Sequence, residues 1–126
     1  MWVIDGNNVM GAAGDGWWND PLGAAERLTQ QIAVWARDHD DDVVVVYDGA
    51  SHERLRVLAG GNLQVEFASR RGRDAADDRV VEIVEDALVD IVPSEVTVVT
   101  SDRGLIDRLA PGVVTLGAGR FRRRLS

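Results

Sequence analysis

Val43-Val44-Val45-Val46-Tyr47-Asp48-Gly49 is an unbroken apolar run that stops at an aspartate. A strand with one wet face alternates apolar and polar side chains. A run this continuous is expected of a strand covered on both faces, as in a parallel sheet. Similar segments recur on either side. Trp2 to Ile4 ends at Asp5, Leu63 to Ala68 alternates weakly, Val96 to Thr100 leads into Ser101 and Asp102, and Val113 to Leu116 completes the set. Helical patterns fill the gaps. Asp20-Pro21 places a cap before a proline at the first helical position, and Leu28, Ile32, Trp35 and Ala36 mark one face behind it. Ser51 is positioned to cap a short helix through Leu58. Asp74 is positioned to cap a longer one, with Val80, Val84, Ala87, Leu88 and Ile91 as its apolar stripe before Pro93. A last short helix covers Leu105 to Leu109 and stops at Pro111-Gly112. The alternation β-α-β-α-β-α-β-α-β predicts one three-layer α/β domain over residues 1–126, a mainly parallel five-stranded sheet flanked by helices.

Composition narrows the chemistry. With 45% hydrophobic and 28% charged residues, the 126-residue chain has the make-up of a folded globular domain. No apolar run approaches the roughly 20 residues that span a bilayer, and the opening MWVIDGNN meets acidic and turn residues too soon for a secretory signal. A cytoplasmic location, away from any membrane, is therefore expected. There is no cysteine, which removes disulfides, thiol nucleophiles and thiolate zinc sites. There is also no lysine, which removes a Walker-type phosphate loop, a Schiff base and a lysine general base. The net charge of −7 opposes nonspecific attraction to polyanions, but the arginines are unevenly spread. Arg70, Arg71 and Arg73 form one knot, and Arg120, Arg122, Arg123 and Arg124 form an arginine-rich C-terminal tail.

Asp5, Asp48 and Asp102 stand at the carboxyl ends of three expected strands. In an open parallel sheet those ends share one edge, where ligands bind. Asp77 and Asp78, in the first turn of the helix after the third strand, point to the same edge. Carboxylates gathered in one cleft repel unless a cation neutralises them. Oxygen ligands without His or Cys suit Mg²⁺ or Mn²⁺, which can activate water and orient a phosphodiester. Each aspartate also has a local reading. Asp5-Gly6 and Asp48-Gly49 are turn dipeptides, Asp74 and Asp77 have cap spacing, and Asp102 can cap the next helix. Turn chemistry alone does not require aspartate after three strands on one edge, so the set carries more weight than its members.

Four segments in order then carry a resemblance. Ile4-Asp5-Gly6-Asn7-Asn8-Val9, Val46-Tyr47-Asp48-Gly49, Asp74-Ala75-Ala76-Asp77-Asp78-Arg79 and Val98-Val99-Thr100-Ser101-Asp102-Arg103 together resemble the acidic motifs of NYN domains. These are a branch of the PIN-like nucleases, and the bacterial YacP-like group is the nearest in pattern. The resemblance implies a PIN-like sheet of order 3-2-1-4-5 and a metal-dependent endoribonuclease using Mg²⁺ or Mn²⁺. It also implies 5′-phosphate and 3′-hydroxyl products and an RNA partner, which the ribosome could present as mRNA, rRNA or tRNA. Carried over residue by residue, Asp5, Asp78 and Asp102 become metal ligands, with Asp48 and Asp77 completing the acidic cluster. Asn8 would position a carboxylate or phosphate, and Ser101 would bond a water or phosphate. Related domains can carry another carboxylate one turn after the last motif, where this chain has Ile106; Asp107 falls one position later and is left out of the site.

Arg70, Arg71 and Arg73 precede the acidic helix start and could hold the RNA backbone, which positions a strand without reading its sequence. Arg103 could do the same or pair with an acid. The Arg120–Arg124 segment reads equally as an RNA contact or as a solubilising end. Trp17 and Trp18 could stack on bases but fit better as cover for a core edge. His39 and His52 are expected in solvated loops, and Asp40-Asp41-Asp42 in a surface turn opposite the site. Three rivals remain: a catalytically weak RNA- or ribosome-binding module that keeps the acidic pocket, a receiver-type phosphate protein, and a small-substrate phosphatase. A receiver requires a lysine after a late strand, and this chain has none.

Overall fold

Five parallel strands form one sheet in the order β3-β2-β1-β4-β5. They are β1 (Trp2–Asp5), β2 (Val43–Asp48), β3 (Leu63–Ala68), β4 (Thr97–Val99) and β5 (Val114–Leu116). Among the described residues the α-helices are α1 (Gly6–Gly11), α2 (Pro21–Ala36), α3 (Glu53–Arg56), α4 (Ala75–Ala87), α5 (Arg103–Arg108) and α6 (Ala118–Leu125). The structure is a computed structural model, and it describes residues 1–14, 16–68 and 74–126. Among these, no helix is long and apolar enough to cross a membrane.

The valine run of β2 is continuous because it serves two cores. Side chains alternate across a strand. Val43, Val45 and Tyr47 therefore pack with Ile4 against α1, α2 and α6, while Val44 and Val46 pack with Val3 and Val98 against α4. The helices α2 and α4 thus sit on opposite faces of the sheet, as expected for three layers. Asp20 caps α2 as its sequence announces, accepting a hydrogen bond from the Gly23 amide at 3.1 Å, with Pro21 at the helix start. Tyr47 fastens that helix to β2. Its buried hydroxyl lies 2.7 Å from the Thr29 hydroxyl, which also donates to the Ala25 carbonyl at 2.7 Å.

Several local expectations give way to better partners. The cap of α3 is the His52 ring, whose Nδ1 accepts from the Arg54 amide at 3.2 Å, and not Ser51. Asp74 occupies the cap position of α4 but makes no side-chain cap bond. His39 is not in a solvated loop: it is half-buried, its Nδ1 is 2.9 Å from the Trp35 carbonyl oxygen, and its ring lies 4.0 Å from the Trp35 ring. The helix α1 replaces the turn read from Asp5-Gly6. The arginine-rich end is helix α6, anchored by fully buried Phe121.

Gly6 is where α1 leaves the central strand with no room to spare. A Cβ built there would lie 2.9 Å from the Val46 carbonyl oxygen and closer still to the Tyr47 ring. We expect Gly6→Ala to destabilise the fold by about 1–3 kcal/mol, the usual cost of overpacking, read as a lower urea midpoint.

Candidate active site

β1 is the middle strand, and the strand order reverses between β1 and β4. Ligands of open α/β sheets bind at such a reversal, outside the carboxyl ends. Asp5 is the last residue of β1 and Asp48 the last of β2, while Asp102 is the N-cap of α5 just beyond β4. Asp77 and Asp78 occupy the first turn of α4, where the helix dipole favours negative charge.

Asp5 is the most constrained of the set. It is only 5% exposed, and the Thr100 hydroxyl donates to its Oδ2 at 2.9 Å. Burial pushes its pKa from 3.8 up to about 6; the charges of Asp77 and Asp48 add to the rise, while Thr100 and the Asn8 amide offset part of it. Asp77 is also raised, by burial first and then by Asp102, Asp74 and Asp48, with Arg108 opposing. Burial raises Asp48 too, against the pull of the Ala76 amide at the start of α4. The mutual influence of Asp5, Asp48, Asp77 and Asp102 places them in one electrostatic neighbourhood.

Two consecutive asparagines brace that neighbourhood. Asn7 Oδ1 accepts from the Asp48 amide and Asn8 Oδ1 from the Ser101 amide, each at 2.8 Å. One residue thus ties the end of β1 to β2, and the next ties it to the end of β4. The sequence suggests that Asn8 positions a carboxylate or phosphate; in the fold its side-chain oxygen holds the backbone that carries Ser101 and Asp102. The Asp102 amide donates to Thr100 Oγ1 at 3.1 Å, so a chain of hydrogen bonds runs from Asp102 through Thr100 to Asp5. Asp102 also caps α5, its Oδ1 accepting from the Leu105 amide at 3.2 Å.

The acidic pair of α4 divides its duties. Asp77 is the member whose charge reaches Asp5, whereas the Asp78 carboxylate binds the Arg108 guanidinium at 2.7 Å. Ser101 Oγ accepts from the Ala118 amide at 2.9 Å and so caps α6. Arg103 is exposed beside Asp102 and makes no ion pair with the described residues. Arg70, Arg71 and Arg73 lie outside the described residues. Trp17 packs on the core edge, as its cover role predicts, while Trp18 is 60% exposed.

Sequence reasoning passes over Thr100, Asn7 and Arg108. Thr100 sits directly before Ser101-Asp102 and Asn7 directly before Asn8, so both lie within the acidic motifs themselves. Arg108 reaches Asp78 only through the packing of α5 on α4, for which the sequence carries no signal.

A family model described as the YacP-like NYN domain matches residues 2–119. The crystal structure of Rae1 (YacP) from Bacillus subtilis is similar over 99% of this chain and 72% of that one, with a TM-score of 0.72 and 19% identity. At that identity the likeness is one of fold. No curated protein matches.

The raised pKa of Asp5 has a thermodynamic consequence with a definite sign. Between pH 3.8 and about 6 the folded chain binds the proton more tightly than the unfolded one, so stability falls as pH rises through that window. Above it, the buried carboxylate costs up to about 3 kcal/mol, at 1.36 kcal/mol per unit. Asp5→Asn is therefore expected to unfold at higher urea than wild type at pH 7.5 in EDTA, with the advantage gone by pH 3.5.

Proposed function

Because the chain belongs to the YacP-like NYN domain family, whose members are generally ribonuclease-like, we propose that it is a metal-dependent endoribonuclease acting at the Asp5 edge of the sheet. The observation that carries this reading is Asp5 itself. A carboxylate at the end of the central strand whose burial, with a smaller push from Asp77 and Asp48, raises its pKa to about 6 is destabilising for the fold and calls for a positively charged ligand.

The donor set fits a hard cation in chemistry, since all the carboxylates offer oxygen and no His or Cys stands among them. Among the described residues no three such side chains gather closely enough to hold an ion unaided. Mg²⁺ is usually bound through one or two carboxylates plus water and substrate phosphate oxygens, and the edge is compatible with that mode. Asp5 would contribute the buried oxygen, with Asp48 and Asp102 reaching the cation through bound water or substrate phosphate. Asp77 joins them through its charge coupling to Asp5, and Asp78 would first have to exchange Arg108 for the ion. A bound Mg²⁺ or Mn²⁺ would supply charge neutralisation and water activation for phosphodiester hydrolysis.

The protein's own residues do the positioning. Thr100 fixes one oxygen of Asp5 and orients its free lone pairs. Asn7 and Asn8 keep the ends of β2 and β4 at set distances from β1, which orients Asp48 and Asp102. Arg103, exposed beside Asp102, would meet a phosphate of the RNA, and Ser101, already an acceptor for α6, keeps its hydroxyl proton to donate. The resemblance adds 5′-phosphate and 3′-hydroxyl ends as the expected products.

Cleavage of a 5′-labelled unstructured RNA, with Mn²⁺ or Mg²⁺ and with EDTA, tests the proposal. Wild type should make metal-dependent internal cuts, and Asp5→Asn, still folded, should lose them by at least about 100-fold, the scale of a lost transition-state electrostatic contact. Binding without cutting by either protein would favour the RNA- or ribosome-binding module instead.

A further inference from the structure

The helix α6 links the acidic edge to a basic groove. Its first amide, on Ala118, is held by Ser101, the residue next to Asp102. Buried Ala118 and Phe121 fix it against the sheet. From there Arg122 reaches back to α1, its Nη1 donating to the Val9 carbonyl at 3.4 Å. It lines a concavity of about 100 Å³ with Arg27 and Gln31 of α2, Met10 of α1, Ala24 and Leu28, and no carboxylate is among the lining residues. Arg27 and Gln31 continue into a wider groove of about 510 Å³ where Arg124 joins them, with Asp38 its one acid.

None of Arg27, Arg120, Arg122, Arg123 or Arg124 makes an ion pair with any described residue. That is unusual company in a chain of net charge −7. Glu26, the acid next to Arg27 in sequence, is bound instead to Arg54 at 2.8 Å. Like charges facing one another across a small pocket repel, and an anion between them would relieve the repulsion. The concavity lies at the far end of α1 from Asp5, and a helix of six residues spans about 9 Å. A nucleic-acid strand bound at the aspartates therefore has further phosphates within reach of it.

We infer that the groove between α2 and α6, with Arg27 and Arg122 at its centre, binds backbone phosphates of an RNA strand whose cleaved bond sits at the Asp5 edge. The inference rests on the nuclease reading for the position of that bond, but not for the binding itself. Guanidinium forks suit phosphate oxygens, and Gln31 adds a neutral donor between them. Contacts of this kind hold a strand without reading bases, so the groove confers affinity and direction and not sequence preference.

The test is fluorescence anisotropy with a labelled unstructured RNA over a range of salt, in EDTA so that nothing is cut. The proteins are wild type, Arg27→Gln, Arg122→Gln and Arg37→Gln. Arg37 follows the end of α2 outside the groove and controls for the loss of one charge. Arg27→Gln and Arg122→Gln should each weaken binding several-fold and make the slope of log K against log salt shallower by about 0.7, the value for one phosphate contact on a single strand. Arg37→Gln should bind like wild type. Because Arg122 also contacts Val9, exposed Arg27 is the decisive position, and thermal melts confirm that both variants fold. Equal losses for Arg27→Gln and Arg37→Gln, or wild-type binding by Arg27→Gln, would overturn the inference. So would binding by the wild type to anionic lipid vesicles but not to RNA. The two readings fail separately. Wild type that cuts with Mn²⁺, beside an Arg27→Gln that binds and cuts equally well, sinks the groove alone. Wild type that never cuts, beside an Arg27→Gln with weakened binding, sinks the nuclease alone.

Discussion

The buried carboxylate of Asp5 is the constraint around which the rest of the structure is arranged. It ends the central strand, has almost no contact with water, and holds one firm hydrogen bond, from Thr100. A charge in that position is tolerated only if the surrounding backbone is rigid enough to prevent the strand end from turning it out to solvent. Gly6 lets α1 begin immediately, pressed against Val46 and Tyr47. Asn7 and Asn8 then bind the neighbouring strand ends from either side. Tyr47 and Thr29 lock α2 over the same corner, and burial pushes the tyrosine itself up to about 12, so it stays a neutral hydrogen-bonding group. Stability gained in the two valine-rich cores offsets what is lost at this one carboxylate.

Much of this was legible in the sequence because hydrophobic period and strand-end aspartates are direct signals. The unbroken run Val43–Tyr47 implied a strand covered on both faces, and the structure shows the alternation shared between two cores. The sheet order 3-2-1-4-5 came from the resemblance and is the observed one. The helices α1 and α6 escaped for opposite reasons. Gly6-Asn7-Asn8-Val9-Met10-Gly11 is poor in helix formers, and only its tertiary contacts hold it helical. Residues 118–125 resemble a solvated charge run until Phe121 is seen to be buried. His39 illustrates a further limit, since composition cannot distinguish a solvated ring from one packed on Trp35.

The site was legible in its members but not in their roles. That Asp5, Asp48, Asp77 and Asp102 share an edge follows from topology alone. Asp78 meets Arg108 of α5 while Asp77 couples to Asp5, a contact between elements that no local pattern encodes. Asn8 shows the same gap. Its type and position suggested that it positions a carboxylate or phosphate, without showing that its Oδ1 would accept from the Ser101 backbone amide. An asparagine whose side-chain oxygen mimics a strand partner does its work on geometry first, and any effect on substrate passes through the aspartates it aligns.

The molecule keeps opposite charges apart where a purely structural protein would bring them together. Arginines in the last turn of α6 gain from its dipole, up to about 1 kcal/mol each at the surface, which accounts for cations there. It does not account for Arg27 on another helix facing Arg122 across a small cavity, nor for carboxylates crowding one another at the opposite end of α1. Pairing the two sets would neutralise both, yet among the described residues it is Asp78 and Arg108 that do so near the site. Two unsatisfied regions of opposite sign, separated by one short helix, match a ligand that is itself a row of negative charges accompanied by a cation. On the proposed reading, an RNA backbone carrying a divalent ion would relieve the repulsion in both places at once, and its binding would draw on repulsion already present in the unliganded fold.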